Sequence, residues 1–357
     1  MSRFFSQRHA ALTPSAPGEQ PRDMRYVKLN TNESPFPPPA AVIEAAEREA
    51  ERLQLYCDPE CTALRAAAAE VYGVGSENLL AVNGSDEALA FAFQAFCDET
   101  RPMAFPDISY GFYPVYADFF HIPAHVVPVK EDLSVDPADY MGLGENIVIA
   151  NPNAPTGMSL APAALARIAA TNPDTVVIVD EAYVDFGGES CVALTKKYDN
   201  LLVIQTFAKS RSLAGGRLGF AIGGEALIRD LNTVKYSINP YNVNRMTQAA
   251  GIAALRSGDY YAGCVRQIVE NRSYTTAELR KLGFTVLPSA SNFLFARREG
   301  IDGGTLYREL KARGVLVRWF DKDRIRDYLR ITVGSREQMD TLLREIRAIL
   351  QDRSGEK

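Results

Sequence analysis

Leu201–Phe220 reads LLVIQTFAKSRSLAGGRLGF. Its opening run, Leu201–Gln205, has the uninterrupted apolar character of a strand buried on both faces, as in a parallel sheet. Lys209 follows among small and hydroxyl residues, and Arg217 comes just after Gly215 and Gly216. A lysine held at a strand end by small neighbours can lose hydration, which lowers its pKa and makes its amine a nucleophile towards carbonyls. An arginine one short loop later is a fork that suits a phosphate. An aldehyde that carries a phosphate, such as pyridoxal phosphate, needs both groups. Read alone, Lys209 is equally a solvated loop lysine, so the other strand ends decide.

Working outward, TVVIVDEAY and NIVIANPN read as two further buried strands, with RPMAFP and NLLAVN before them. Helical stretches lie between. GSDEALAFAFQAF has Ser85 and Asp86 as capping candidates, and YGFYPVYADFF has Pro114 near its first turn. This alternation predicts an α/β fold with a large, mainly parallel, doubly wound sheet. Residues 1–38 are proline-rich and irregular, which predicts an arm that packs on something else. A helix is expected from Ala40 to about Leu53, and another from about Cys61 to a glycine stop at Gly73. After about Asn242 the texture changes. A helix-like span, Asp259–Leu282, precedes FTVLPS, NFLFAR, a helix, VLVRWF, YLRITV and an amphipathic helix over Glu337–Leu350. That reads as a smaller α+β domain. The expected division is an arm (1–38) on the small domain and a partner subunit, a large domain (39–242) and a small domain (243–357).

Composition narrows the function. The chain has 357 residues, 46% hydrophobic and 23% charged, which is ordinary for a globular protein with room for two domains. Its net charge of −5, with signs interspersed, offers no basic footprint for nucleic acid. No apolar run approaches the roughly 20 residues of a membrane span, and the N-terminus lacks a signal-peptide core. Five scattered cysteines contain no CxxC, so neither a zinc site nor a disulfide framework is expected, and a reducing cytoplasm fits. Pro123 between His121 and His125 argues against a shared helix face, and no metal is expected. No GxGxxG follows the first strand, which disfavours a nicotinamide enzyme.

Open parallel sheets bind ligands at the carboxyl ends of their strands. Here five ends carry useful polar residues. Gly84, Ser85 and Asp86 open a helix, where free N–H groups favour a phosphate or where Ser85 merely caps. Tyr110 could stack on a flat ring or fill a rim. Asn153 lies in a loop, NPNAPTG, that is either a binding loop or a rigid turn. Asp180 ends an apolar run, so it should be buried and needs a positive or donor partner, whether a cofactor or a structural ion pair. Thr206 and Lys209 end the last strand. One explanation covers all of these. A protonated pyridine nitrogen partners Asp180, Asn153 and Tyr183 hold the phenolic oxygen, Tyr110 stacks, and Gly84, Ser85, Thr206 and Arg217 take the phosphate.

The ordered set NPNAPTG, VDEAY, TFAKSRSLAGGRLGF and YLRITVG resembles the fold-type I pyridoxal-phosphate aminotransferases. With KLNTNESPFPP and YCDPECTALR, the chain is more narrowly similar to the histidinol-phosphate aminotransferases. The resemblance runs from about residue 14 to 350. It implies that Lys209 is the Schiff-base lysine and the catalytic acid/base. It implies that Tyr56 reaches the phosphate of the other subunit's cofactor, hence a homodimer with shared active sites. It implies that Arg330 grips the substrate carboxylate, that Arg318 is a second cation near it, and that Asn32 in the arm belongs to the substrate site. The implied reaction exchanges the amino group between histidinol phosphate and 2-oxoglutarate. Alternatives on the same scaffold are an aromatic amino-acid aminotransferase and an amino-acid phosphate decarboxylase. Three positions depart from the group's usual residues: Ala208 where serine is common, Ala154 where asparagine is common, and Ser15 where tyrosine is common.

Overall fold

A computed structural model describes residues 2–15 and 17–355. The arm contributes a two-residue strand, β1 (Val27–Lys28), and is followed by helices α1 (Ala40–Ala50) and α2 (Thr62–Tyr72). Gly73 ends α2 in the left-handed conformation, as its sequence position predicts. Strands and helices then alternate: β2 (Leu79–Val82), α3 (Ser85–Phe96), β3 (Met103–Pro106), α4 (Phe112–Phe120), β4 (Ala124–Val127), β5 (Asn146–Ala150), α5 (Pro162–Thr171), β6 (Val177–Asp180), β7 (Leu201–Thr206) and β8 (Gly219–Gly223).

These strands form one seven-stranded sheet in the order β2-β8-β7-β6-β5-β3-β4. The expected α/β sheet is present, and two of its strands were not read from the sequence. β4 is an edge strand with mostly exposed side chains, so it lacks an apolar signature. β8 lies antiparallel between β2 and β7. The residues between β7 and β8 form no helix that could cross the sheet, and hydrogen bonds such as Phe207 N to Leu218 O fold the chain straight back. Because β8 is antiparallel to both neighbours, β2 runs parallel to β7. The carboxyl ends of β2, β3, β5, β6 and β7 therefore share one edge.

Alternate residues of the strands enter two cores, one on each face. Ile147, Val177 and Val203 pack on one side, and Val148, Ile178 and Leu202 on the other. That is why these strands read as continuous apolar runs rather than alternating ones. Helix α6 (Glu225–Ile238) packs with α3, and α7 (Arg245–Arg256), which the sequence reading did not anticipate, lies against α1 and α2. Val243, Ala250, Ala254 and Leu255 thus join the core of the large sheet beyond residue 242.

The long helix α8 (Gly258–Lys281) leads into β9 (Phe284–Val286), β10 (Phe293–Arg298), α9 (Gly303–Ala312), β11 (Val315–Leu316), β12 (Arg318–Trp319), β13 (Leu329–Thr332) and α10 (Arg336–Gly355). An antiparallel sheet, β12-β13-β10-β9, carries these helices. The arm is tied to it. β1 pairs in parallel with β11, and Leu29 O accepts from Thr332 N at 2.9 Å. Tyr183 meets Phe293 edge to face at 5.0 Å and so links the end of β6 to the smaller sheet. No helix among the described residues is long and apolar enough to cross a membrane.

Leu64 on α2 is fully buried against the large sheet. Leu64→Ala is expected to cost about 2–5 kcal/mol through lost transfer energy and a residual cavity. The urea midpoint measures this, and an unchanged midpoint would contradict the packing.

Candidate active site

The shared strand edge is walled by Ser85, Asp86, Tyr110, Asp180, Tyr183, Thr206, Lys209 and Arg217, with Ala150, Ala154, Ala182 and Ala208 between them. Eight of the residues singled out in the sequence thus meet in one cavity. Lys209 is set by the turn after β7. Phe207 N donates to Leu218 O at 2.9 Å and Leu213 N to Phe207 O at 3.0 Å, which closes the loop beneath it. Its Nζ donates to Thr31 O at 3.1 Å and lies 5.7 Å from the Tyr183 ring centroid.

Gly84, at φ +83°, precedes α3. A Cβ there would lie 2.5 Å from Arg217 Nη2, so only glycine lets the guanidinium reach the helix start. Arg217 itself has φ +52°, a left-handed conformation that costs a non-glycine residue about 1 kcal/mol. Ser85 and Asp86 occupy the first turn of α3 rather than capping it, which corrects the capping expectation. The Asp86 carboxylate instead accepts from Tyr110 Oη at 2.7 Å and pairs with Arg217 at 3.2 Å. Both partners of that pair are substantially exposed, so it holds Arg217 weakly. Helix N–H groups, a guanidinium and the Thr206 hydroxyl make a donor set suited to a phosphate.

Asp180 ends β6 and is 5% exposed. Tyr113 Oη donates to its Oδ2 at 2.9 Å, and Ala182 N to its Oδ1 at 3.2 Å. Burial pushes its pKa up to about 6. Both hydrogen bonds come from neutral groups, so a positive ring nitrogen would complete a carboxylate that the protein leaves short of charge. Tyr113 is fully buried, and burial followed by the Asp180 charge raises its pKa well above the ordinary value, which keeps it a donor. The sequence reading missed this residue. Its signal was its place in the first turn of the helix that follows β3, at the same strand edge as Tyr110.

Two asparagines are engaged by the protein itself. Asn153 does not line the cavity. Its Nδ2 donates to Ile108 O at 2.9 Å and Thr156 Oγ1 at 3.2 Å, and its Oδ1 accepts from Ser109. Both amide protons are spent on protein partners, one within the NPNAPTG turn and one on the loop after β3, and the apolar Ala154 takes the wall position. Asn32 has a partner of its own. Held buried at φ +56° by Thr332, it donates through Nδ2 to Tyr183 Oη at 3.0 Å. Tyr183 therefore accepts from Asn32 and has its own proton to give.

A vestibule adjoins the cavity, lined by Ser15, Asn30, Asn32, Arg318, Phe320 and Arg330 among others. Arg318 and Arg330 are register partners across β12 and β13. Arg330 Nη2 donates to Asn30 O at 3.0 Å, while its Nε is buried without a hydrogen-bond partner among the described residues. The rings of Phe293 and Phe320 flank it, each 5.5 Å away. Burial lowers its pKa from the ordinary value. A buried guanidinium with an unspent donor matches an incoming carboxylate or phosphate. Tyr56 stands apart from its own chain's cavity. It is 79% exposed and stacks on Tyr241 at 4.5 Å.

Residues 25–346 match the family model for aminotransferase class I and II. A curated histidinol-phosphate aminotransferase from Brachyspira hyodysenteriae is 46% identical over 354 residues, covering 99% of this chain and 100% of that protein. One from Chromohalobacter salexigens is 48% identical, covering 98% and 99%. Among solved structures, histidinol-phosphate aminotransferase from Sinorhizobium meliloti in complex with pyridoxal-5'-phosphate superimposes with a TM-score of 0.83 at 23% identity, covering 91% of this chain and 92% of that one.

The buried carboxylate sets a pH dependence. The pKa of Asp180 is raised from 3.8 to about 6, so the folded, cofactor-free protein holds its proton more tightly than the unfolded chain. Stability then falls as pH rises across that window. Glu181, raised to about 7, adds in the same direction. Cofactor-free Asp180→Asn is expected to gain on the order of 2–3 kcal/mol over the parent above pH 6 and little below pH 4. Urea titrations at several pH values measure the difference, and a gain independent of pH would contradict the burial argument.

Proposed function

The chain belongs to the class I and II aminotransferases, and from that premise we propose that it transfers the amino group between histidinol phosphate and 2-oxoglutarate, a step of histidine biosynthesis. It is an aminotransferase whose cofactor is pyridoxal 5'-phosphate. When bound, the cofactor supplies a reactive aldehyde and a ring that draws electrons from the substrate. Arg217, Thr206 and the α3 N-terminus would hold its phosphate, Asp180 its ring nitrogen, Tyr183 its phenolic oxygen, and Tyr110 one face. Lys209 Nζ is the nucleophile towards the aldehyde. Freed by the incoming substrate amine, it would accept the proton from the substrate α-carbon and hand it on within the site. The carbonyl of Thr31 holds that amine between the cavity and the vestibule.

The observation that carries the substrate reading is the Arg318–Arg330 pair at the vestibule, with the unspent Arg330 Nε. Glutamate brings a carboxylate on its α-carbon, and histidinol phosphate brings a phosphate ester nearby. One cationic site can accept each in turn. Ser15 on the vestibule wall favours a second reading, an aromatic amino-acid aminotransferase, because its short side chain leaves room and only one hydroxyl for a phosphate.

The remaining assignments follow from this reading. Residues 1–38 form the arm over the substrate side, 39–242 with α7 the cofactor-binding unit, and the rest the small domain. Two copies would share active sites through Tyr56, whose exposure, with that of Leu53 and Leu55, leaves an apolar surface for a partner subunit. The enzyme would work in the cytoplasm, since its chemistry needs neither membrane nor disulfide.

Half-reactions followed by cofactor absorbance test the substrate. Rapid conversion is expected with histidinol phosphate and with glutamate. Conversion with phenylalanine and none with histidinol phosphate would select the second reading. Lys209→Ala is expected to keep cofactor without a covalent link and to lose turnover by at least about 10²–10⁴-fold; retained turnover would remove Lys209 from its role. Arg330→Ala is expected to lower kcat/KM for glutamate by about 10²-fold, mainly through KM. An unchanged KM would place the carboxylate elsewhere.

A further inference from the structure

We propose that Tyr113 is a positioning residue that fixes the Asp180 carboxylate in its ionised, ring-facing state and thereby governs how tightly the cofactor is held as pH falls. This rests on the assignment of Asp180 to the ring nitrogen and not on the substrate. Asp180 has two rotatable bonds and two oxygens at the end of β6. The Ala182 N–H fixes Oδ1, and the Tyr113 hydroxyl fixes Oδ2. Tyr113 is itself immobile. It is fully buried on α4, tilted against Phe105 at 5.9 Å and edge-on to Tyr110 at 5.6 Å. One rigid ring therefore sets both the rotamer of the carboxylate and one of its two donors.

The surroundings give that hydroxyl weight. The ionisable groups around Asp180 are Tyr110 just before α4, Tyr113 and Tyr116 on α4, Asp86 on α3, Tyr183 after β6, and Lys209 and Arg217 after β7. Burial and Asp86 oppose the charge on Asp180, whereas Tyr113, the Ala182 N–H and Lys209 favour it. A neutral donor at 2.9 Å between two buried groups is worth more than the same bond at a surface. Tyr113 stays protonated throughout the working pH range, so it donates whether or not Asp180 is charged, and more strongly when it is. Removing only the hydroxyl raises the pKa of Asp180 and lets the carboxylate rotate, while the ring stays packed. Below that pKa the neutral acid no longer attracts a positively charged ring, and cofactor affinity falls.

The test measures cofactor affinity against pH in the full chain carrying Lys209→Ala, so that the covalent link contributes nothing. Adding Tyr113→Phe is expected to move the midpoint of the acid-side loss upward by about one to two pH units, which is about 10–100-fold in affinity between the two midpoints. Replacing Tyr113 by difluorotyrosine, a stronger donor of the same shape, is expected to move it the opposite way. This second variant decides the matter if Tyr113→Phe does not fold. In an Asp180→Asn background, Tyr113→Phe should shift nothing. Superimposable profiles for the parent and both Tyr113 variants would overturn the proposal. An Asp180→Asn profile identical to the parent's would instead overturn the assignment of Asp180, which separates the two failures.

Discussion

A carboxylate buried at the end of a central strand, with only neutral donors around it, is the constraint on which this site depends. Burying an ionised group costs several kcal/mol unless a charge answers it. Asp180 receives one phenolic hydroxyl and one backbone N–H, and burial pushes its pKa up to about 6. The protein therefore carries a standing demand for positive charge at one point on the strand edge. Other groups close the remaining sides of the cavity. Tyr110 and Tyr183 line the walls, and Arg217 crosses Gly84 to the start of α3.

That demand also explains the local geometry of the loop after β7. Lys209 must rise from the same edge, one strand over from Asp180. β7 supplies the edge, and the backbone bonds between Phe207 and Leu218 fold the chain back so that β8 can pair with β7 and β2. Gly219 sits where a Cβ would meet Gln205 O at 2.8 Å and Ser85 N at 2.9 Å. The loop that holds the Lys209 amine, the strand that returns, and the start of α3 are thus in direct contact, and movement of one disturbs all three. Arg217 is kept in a left-handed backbone conformation at the same place. Such strain persists only where neighbours over-determine it.

The vestibule is built differently. It comes from the arm and the smaller sheet rather than from the strand edge. Asn30 and Thr31 bring backbone carbonyls to Arg330 and Lys209, and Asn32 brings its amide to Tyr183. The arm is held there by Val27 and Leu29 pairing with β11 and by the bond from Thr332. An irregular, proline-rich segment thereby becomes as exact as a strand, because its hydrogen bonds are made to the small sheet instead of within itself.

The sequence by itself determined the parallel sheet and its working edge. Buried strands such as Val177–Asp180 and Leu201–Thr206 are apolar throughout, and the polar residues that end them are where a ligand must bind. It also determined the chemistry of the site, since a lysine, a carboxylate and an arginine at successive strand ends have few uses in common. Tertiary structure alone decided which neighbours finish the job. Asn153 and Ala154 are adjacent in the chain, and only the folded turn shows that the amide is spent on Ile108 and Thr156 while the alanine faces the cavity. Tyr113 and Asn32 were invisible as partners of Asp180 and Tyr183, because those hydrogen bonds join residues 67 and 151 positions apart. The antiparallel β8 was hidden because its direction is set by pairing with β7 and β2, which are distant from each other in the chain. Local patterning records what a segment buries, whereas a hydrogen bond between distant segments exists only once both have been placed.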